Sequence, residues 1–247
     1  MHPILFRFHS FTIYTYGFFV ALAVCVSFFL LNRRAHVFGV DAGLVGDLVF
    51  FLFVSGVMGA RLFYVLQHFE DYRGGWWKIF SLAEGGLVWY GGFLVAASVG
   101  LGVAAWKRWP ILRLCDLFAP VLPLAHAIGR IGCFFNGCCY GRETDLPFGF
   151  IFPGDHNPRI PTQLIESTML FCLSIFLFYF SPKRRRDGEI FILYLLSYSV
   201  IRFLIEFLRG DQTLLWVLTP PQWTSILLFA GALFLNFTTH RKPGSKS

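Results

Sequence analysis

Tyr198, Arg202, Glu206 and Arg209 follow one another at spacings of four, four and three inside an otherwise apolar run. On a helix that spacing places all four on one face. An ionised side chain at membrane depth costs at least ~2.5–3.5 kcal/mol, so such a face must look into a bundle interior or a watery cavity. Two guanidiniums against one carboxylate leave a positive surplus able to hold an anion. Glu206 is read either as the group that orients Arg202 or as a structural partner that neutralises it. A second stretch dense in chemistry contains His126, Gly129, Arg130, Gly132, Cys133, Asn136, Gly137, Cys138, Cys139, Tyr140, Gly141 and Arg142. Arg130 offers a planar fork matched to phosphate or carboxylate oxygens. The glycines allow close backbone approach and non-helical turns, as a site at a broken helix end needs. Gly129 by itself reads as a helix-packing residue. A basic anion site at such a place, reached from lipid, points to a phospholipid headgroup as ligand.

The elements that must carry these residues are legible in the composition. The chain has 247 residues, 56% of them hydrophobic and only 14% charged, with a mean hydropathy of +0.61. A soluble domain of this size needs more surface charge. Apolar runs of bilayer-crossing length recur, which predicts an all-α polytopic membrane protein. Seven segments are expected, near 11–31, 44–67, 86–106, 114–135, 163–181, 189–209 and 222–239. Basic residues cluster after alternate segments: Arg33 and Arg34, then Lys107, Arg108 and Arg113, then Lys183 to Arg186, then Arg241, Lys242 and Lys246. The opposite side holds Arg7, Arg73, Lys78, Arg142 and Arg159. Excess Lys and Arg marks the cytoplasmic side, so the N-terminus is expected outside, in the periplasm, and the C-terminus in the cytoplasm. The same distribution explains the net charge of +7 without a nucleic-acid partner. No separate targeting peptide is expected, the first segment serving as its own insertion signal. The stretch from Tyr72 to Lys78 reads as interfacial. The outer loop at about 136–162 is interrupted by glycine and proline and is expected to be a structured cap. Residues 1–240 are thus one transmembrane domain, and residues 241–247 a basic cytoplasmic tail.

Several of these stretches resemble, in order along the chain, the sequence pattern of the prolipoprotein diacylglyceryl transferases. The run Gly129-Arg130-Ile131-Gly132, Phe134, Asn136-Gly137, Gly141 is similar to that family's signature, Gly-Arg-x-Gly-Asn-Phe-x-Asn-x-Glu-x-x-Gly. Tyr16-Gly17, Gly59-Ala60-Arg61 with Tyr64, Tyr90-Gly91-Gly92, Asp116 with Pro120, and Arg159-Ile160-Pro161-Thr162-Gln163 with Glu166 resemble further family stretches. Tyr198, Arg202, Glu206, Arg209 and Asp211 resemble its closing motif. The likeness covers residues 11 to 240. It implies an enzyme of the bacterial inner membrane that moves the diacylglyceryl group of phosphatidylglycerol onto the lipobox cysteine of a prolipoprotein signal peptide. A thioether forms, glycerol 1-phosphate leaves, and neither metal nor organic cofactor is used. On that reading Arg130 and Arg202 stabilise charge on the departing phosphate. Arg61 and Arg209 support them, Asn136, Gly141 and Gln163 line the headgroup site, and Tyr16 and Tyr198 position it.

The sequence departs from the family pattern at three places. The histidine before Gly-Gly is Tyr90, and a phenol is a poor base at neutral pH. His126 lies one turn before Arg130, where spacing allows it to assume part of that histidine's role; otherwise it is a packing residue. The signature's Asn and Glu are Cys133 and Cys138. A disulfide from Cys133 to Cys138 or Cys139 would brace the loop on an oxidising side; three unpaired thiols are the equal alternative. Cys-x₄-Cys-Cys lacks the usual two-residue metal spacing and has no nearby His pair, so no metal is expected. Cys25, Cys115 and Cys172 read as small hydrophobes. Rival functions are a membrane thiol–disulfide protein using Cys138 and Cys139, an anion or lipid transporter, and a diverged family member with another acceptor. The thiol–disulfide reading leaves the membrane-depth arginines unused, and the transporter reading lacks a paired repeat of broken helices.

Overall fold

The computed structural model describes residues 2–8, 11–72, 75, 77, 79, 86–210 and 214–240. Arg73, Lys78, Asp211 and the basic tail at 241–247 therefore lie outside the described residues. The chain opens on a two-stranded antiparallel hairpin, β1 (Ile4–Phe8) and β2 (Phe11–Tyr14). Among the described residues eight α-helices follow: α1 (Thr15–Ala35), α2 (Ala42–Gln67), α3 (Trp89–Trp106), α4 (Ile111–Phe118), α5 (Val121–Asn136), α6 (Thr162–Phe180), α7 (Glu189–Glu206) and α8 (Pro220–His240).

Apart from the hairpin, the protein is a helical membrane protein. Thr15–Phe38, Ala42–Gln67 and Thr162–Lys183 are long and apolar enough to cross a bilayer, and α4 with α5 makes a fourth such stretch if the bent pair is one span. Large apolar side chains are exposed along α2, α3 and α8, among them Phe50, Met58, Phe93, Leu101, Leu227 and Phe234. A water-facing surface does not carry so many.

Two sequence expectations change in detail. The first segment begins as a strand, because Phe11-Thr12-Ile13-Tyr14 is β-branched and aromatic and pairs with Ile4–Phe8 before the helix starts. The fourth segment is not one helix: α4 and α5 meet at 41° across Ala119 and Pro120. Pro120 lacks the N–H that would continue the ladder and disfavours a helical residue before it.

Two compact units are present: residues 32–114, and residues 1–31 together with 115–247. In the first, α2 and α3 lie almost in backbone contact. A Cβ on Gly59 would meet Val95 Cβ at 2.5 Å, and one on Gly92 would meet the Gly56 carbonyl at 2.8 Å. This is the small-residue packing that lets helices associate without a water-driven force. In the second unit, Ala119, Leu173, Leu177 and Ile190 form a core, with Phe191, Tyr194 and Tyr198 packed against it. Ser167 and Ser174 of α6 donate to the Ala127 and Pro120 carbonyls at 2.9 and 2.7 Å, tying α6 to α5. The fully buried Asp116 carboxylate accepts from the Gly188 and Phe191 N–H groups at 2.7 and 2.9 Å. It thereby satisfies the free donors at the start of α7 and complements that helix's positive end.

Candidate active site

The larger unit gathers the charged faces of α5, α6 and α7. Arg130 of α5 pairs through Nε with Glu166 Oε2 at 3.0 Å, and His126, one turn earlier, approaches Glu166 Oε1 at 3.6 Å. Glu166 is only 2% exposed. On α7, Arg202 Nη2 meets Glu206 Oε2 at 2.7 Å, and Glu206 is also buried. The two pairs belong to one neighbourhood. The His126 ring lies 5.9 Å from that of Tyr198, and His126 stands within electrostatic reach of Glu166, Arg130 and Arg202. Tyr194 stacks on Tyr198 with centroids 5.6 Å apart. Tyr16 of α1 sits within reach of Arg130 and the three clustered cysteines. Gly132 lets α1 come that close, since a Cβ there would meet Phe19 Cβ at 2.9 Å and Tyr16 Cδ2 at 3.3 Å.

The pairs are not fully satisfied. Arg202 Nη1, Glu206 Oε1, Glu166 Oε1 and Gln163 Oε1 are buried without a hydrogen-bond partner among the described residues. Buried polar atoms are paired in the great majority of cases, so a cluster of open valences marks a place for a polar guest. Arg202 Nη1 is the donor that an anion would take.

The segment after α5 roofs this cluster. Gly137, with φ 72, ends the helix in the left-handed region. Gln163 Nε2 donates to the Cys138 carbonyl at 2.6 Å, and Thr162 Oγ1 and Arg209 Nη1 donate to that of Cys139 at 2.9 and 3.4 Å. Gly141 N–H donates to Ile160 and Arg142 N–H to Leu208, at 2.8 and 3.0 Å. At Gly141 a side chain would collide with the Leu208 carbonyl and the Thr162 methyl. Farther out, Arg159 donates twice to Asp155, at 2.6 and 2.9 Å, and once to Glu143, at 3.2 Å. Its guanidinium lies over Tyr140, which stacks on the buried Phe152 at 4.6 Å. The segment is thus ordered without being helical.

Cys133, Cys138 and Cys139 are free thiols. Hydrogen bonds from the Cys133 and Cys138 side chains, aided by the charges of Arg130 and Arg209, hold the Cys139 thiol below the ordinary thiol range. Asn136 is exposed, with Nδ2 3.6 Å from Cys138 Sγ.

A family model described as prolipoprotein diacylglyceryl transferase matches residues 3–238. The chain belongs to that family. A protein of Clostridium perfringens (strain 13 / Type A) named phosphatidylglycerol–prolipoprotein diacylglyceryl transferase 2 is 32% identical over 241 residues, covering 95% of this chain and 93% of its own. A Clostridium tetani (strain Massachusetts / E88) protein named phosphatidylglycerol–prolipoprotein diacylglyceryl transferase is 32% identical over 249 residues, covering 98% and 100%. A Bordetella bronchiseptica (strain ATCC BAA-588 / NCTC 13252 / RB50) protein of the same name is 35% identical over 259 residues, covering 99% and 97%.

Of the residues singled out in the sequence of this transferase family member, His126, Arg130, Gln163, Tyr198, Arg202, Glu206, Arg209, Gly141 and Tyr16 fall in the larger unit around one cluster. Asn136 lies at its rim. Arg61 and Tyr90 lie in the other unit. Arg61 is buried there and donates to the Ile79 and Gly86 carbonyls at 2.7 and 3.2 Å, with Tyr64 and Tyr72 against its guanidinium. It braces the segment between α2 and α3. Tyr90 is 59% exposed in the first turn of α3. Glu166, the carboxylate that joins His126 to Arg130, is the residue that sequence reasoning left unassigned. Its signal was present in the stretch from Arg159 to Glu166.

Proposed function

We propose that this chain is a diacylglyceryl transferase that moves the diacylglyceryl group of phosphatidylglycerol to the lipobox cysteine of prolipoproteins. Its proposed home is the bacterial inner membrane, which it crosses seven times: α1, α2, α3, the bent pair α4–α5, α6, α7 and α8. The N-terminus and the segment 137–161 face the periplasm, and the tail after residue 240 faces the cytoplasm, in keeping with the Lys and Arg distribution. Residues 1–240 act as one transferase domain. Family membership over residues 3–238 supports the reaction class, and the names of the relatives supply the two substrates.

The observation that carries the assignment of roles is the half-satisfied guanidinium cluster: partly buried Arg130 and Arg202, each held by a buried carboxylate, with Arg202 Nη1 lacking a hydrogen-bond partner among the described residues. Fixed cations of this kind grip a phosphate diester and favour the charge that grows on it as the glyceryl carbon–oxygen bond breaks. The acceptor thiol loses its proton, its sulfur bonds to the glyceryl carbon, and glycerol 1-phosphate departs with the electron pair of the broken bond. In this reading His126, whose Nε2 lies 3.6 Å from Glu166 Oε1, takes the thiol proton. Tyr16, Tyr198, Gln163 and Asn136 surround the headgroup, Gly141 keeps the roof close, and Glu206 and Arg209 fix Arg202 and the loop. Within the smaller unit, which also carries Tyr90, Arg61 holds the Ile79 and Gly86 carbonyls. An apolar groove lined by Thr168, Met169, Cys172, Leu173, Phe176 and Ile201 begins within a turn of Glu166. A groove of this kind suits an acyl chain.

The test is conversion of a lipobox peptide by the purified chain with phosphatidylglycerol in detergent. The expected result is a diacylglyceryl mass gain on the peptide cysteine and release of glycerol 1-phosphate. An unmodified peptide, under conditions that convert it with a known family member, would overturn the assignment.

A further inference from the structure

The end of α5 assembles three sulfurs that the transfer reaction does not use. Gly137 N–H donates to the Phe134 carbonyl at 3.1 Å and Cys138 N–H to the Cys133 carbonyl at 3.2 Å. That pair of bonds is a Schellman closure, which brings the third residue from the helix end against the second residue beyond the cap. Here those residues are Cys133 and Cys138. Cys139 follows at φ 66, a conformation non-glycine residues seldom adopt. Such strain persists only where the surroundings impose it. The hydrogen bonds from Gln163, Thr162 and Arg209 to the two cysteine carbonyls supply that restraint. As a result the Sγ atoms of Cys133, Cys138 and Cys139 all lie within 4.8 Å of one another, each partly buried.

Three converging thiols exceed what a disulfide consumes. We propose that Cys133, Cys138 and Cys139 form a thiolate site for a soft d¹⁰ metal ion, Zn(II) or Cu(I). Metal–sulfur bonds of about 2.3 Å put the sulfurs roughly 3.8–4.0 Å apart, so the cluster closes on an ion with shifts below about 1 Å. Thiolates select this class of cation. Binding releases to solvent whatever protons the three thiols still carry. Arg130 and Arg209 offset the negative charge of the trithiolate complex, and for zinc a solvent-derived fourth ligand completes the tetrahedron. The ion would brace the roof at the point where the family signature carries Asn and Glu.

The test uses the full chain in detergent, reduced and handled without oxygen, titrated with Cd(II) as spectroscopic probe and separately with Zn(II) and Cu(I). One equivalent of Cd(II) per chain is expected to saturate the ultraviolet thiolate-to-metal charge-transfer band. Displacement by Zn(II) or by Cu(I) tells which ion the site prefers. Cys133→Ser, Cys138→Ser and Cys139→Ser should each weaken binding at least 100-fold, whereas Cys25→Ala with Cys172→Ala leaves it unchanged. Independently of any variant, the unfolding temperature of the wild-type chain should rise with added Zn(II) or Cu(I). Substoichiometric binding, retention of full affinity by Cys133→Ser, or a disulfide among the three cysteines in protein taken from native membranes would overturn the proposal.

Discussion

Glu166→Gln isolates the group on which the polar cluster turns. The change keeps side-chain volume and removes one charge, leaving Arg130 without its carboxylate 3.0 Å away and His126 without its neighbour at 3.6 Å. Removing one partner of a buried ion pair costs about 3–5 kcal/mol, because the remaining charge is stranded. Arg130 retains 16% side-chain exposure and His126 33%. Some of the stranded charge therefore reaches a polar environment, and the lower end, about 3 kcal/mol, is expected. For a chain of this size that is a fall in Tm of roughly 6–12 °C. Adding Arg130→Gln removes the stranded charge, so the double variant should be more stable than the sum of the single losses by about 2–3 kcal/mol. Activity should behave differently. Lipobox-peptide conversion is expected to drop at least 100-fold in Glu166→Gln and to stay lost in the double variant, because the phosphate still lacks Arg130. Unfolding and peptide lipidation measured on the four proteins give both readouts. Additive stabilities within about 0.5 kcal/mol, or activity that returns with stability, would refute the reasoning.

Three further outcomes follow from the geometry. Gly141→Ala places a methyl against the Leu208 carbonyl and 2.8 Å from Thr162 Cγ2; it should cost about 1–3 kcal/mol in thermal unfolding, while Gly231→Ala, with nothing within 4 Å, should not. Asp116→Ala deprives the Gly188 and Phe191 N–H groups of their acceptor and should destabilise by about 1–3 kcal/mol, read as faster amide exchange at the start of α7. Arg159 hydrogen-bonds Asp155 and holds its carboxyl below the ordinary carboxylate range. A depressed folded value gives stability that is complete above the unfolded value near ~3.9 and is lost as pH falls through the folded one. Protease protection of residues 143–159 should therefore be constant from neutral pH to about 4 and fall below it, and Asp155→Asn should abolish that acid limb.

The helical membrane class was legible because apolar runs of bilayer length need no tertiary information. The α7 face was legible for a similar reason as far as Glu206: Tyr198, Arg202 and Glu206 are neighbours by helical spacing alone, and the structure pairs Arg202 with Glu206, whereas Arg209 lies past the end of α7 and bridges to Gly141. The Arg130–Glu166 pair was not, since it joins α5 to α6 and depends on how those helices pack. The stretch ending at Glu166 was recognised, but no rule of spacing tied it to Arg130. The break between α4 and α5 was written in Pro120, and uniform hydropathy concealed it. The cysteine cluster was obscured by metal-site spacing rules, which expect two residues between ligands. Treating Gly137 as a left-handed cap makes Cys133 and Cys138 the contacting pair of a Schellman closure. Cys139 joins them only through hydrogen bonds from α6 and Arg209, which the local sequence does not disclose.

The central claim is that Arg130 and Arg202 grip the phosphoryl group of the donor lipid. It is tested most directly by native mass spectrometry of the chain released from micelles, offered phosphatidylglycerol or the diacylglycerol with the same acyl chains. The wild-type chain should retain phosphatidylglycerol in preference to diacylglycerol, and Arg130→Gln with Arg202→Gln should erase that preference while leaving diacylglycerol retention unchanged. Undiminished preference for phosphatidylglycerol in the double variant would contradict the account.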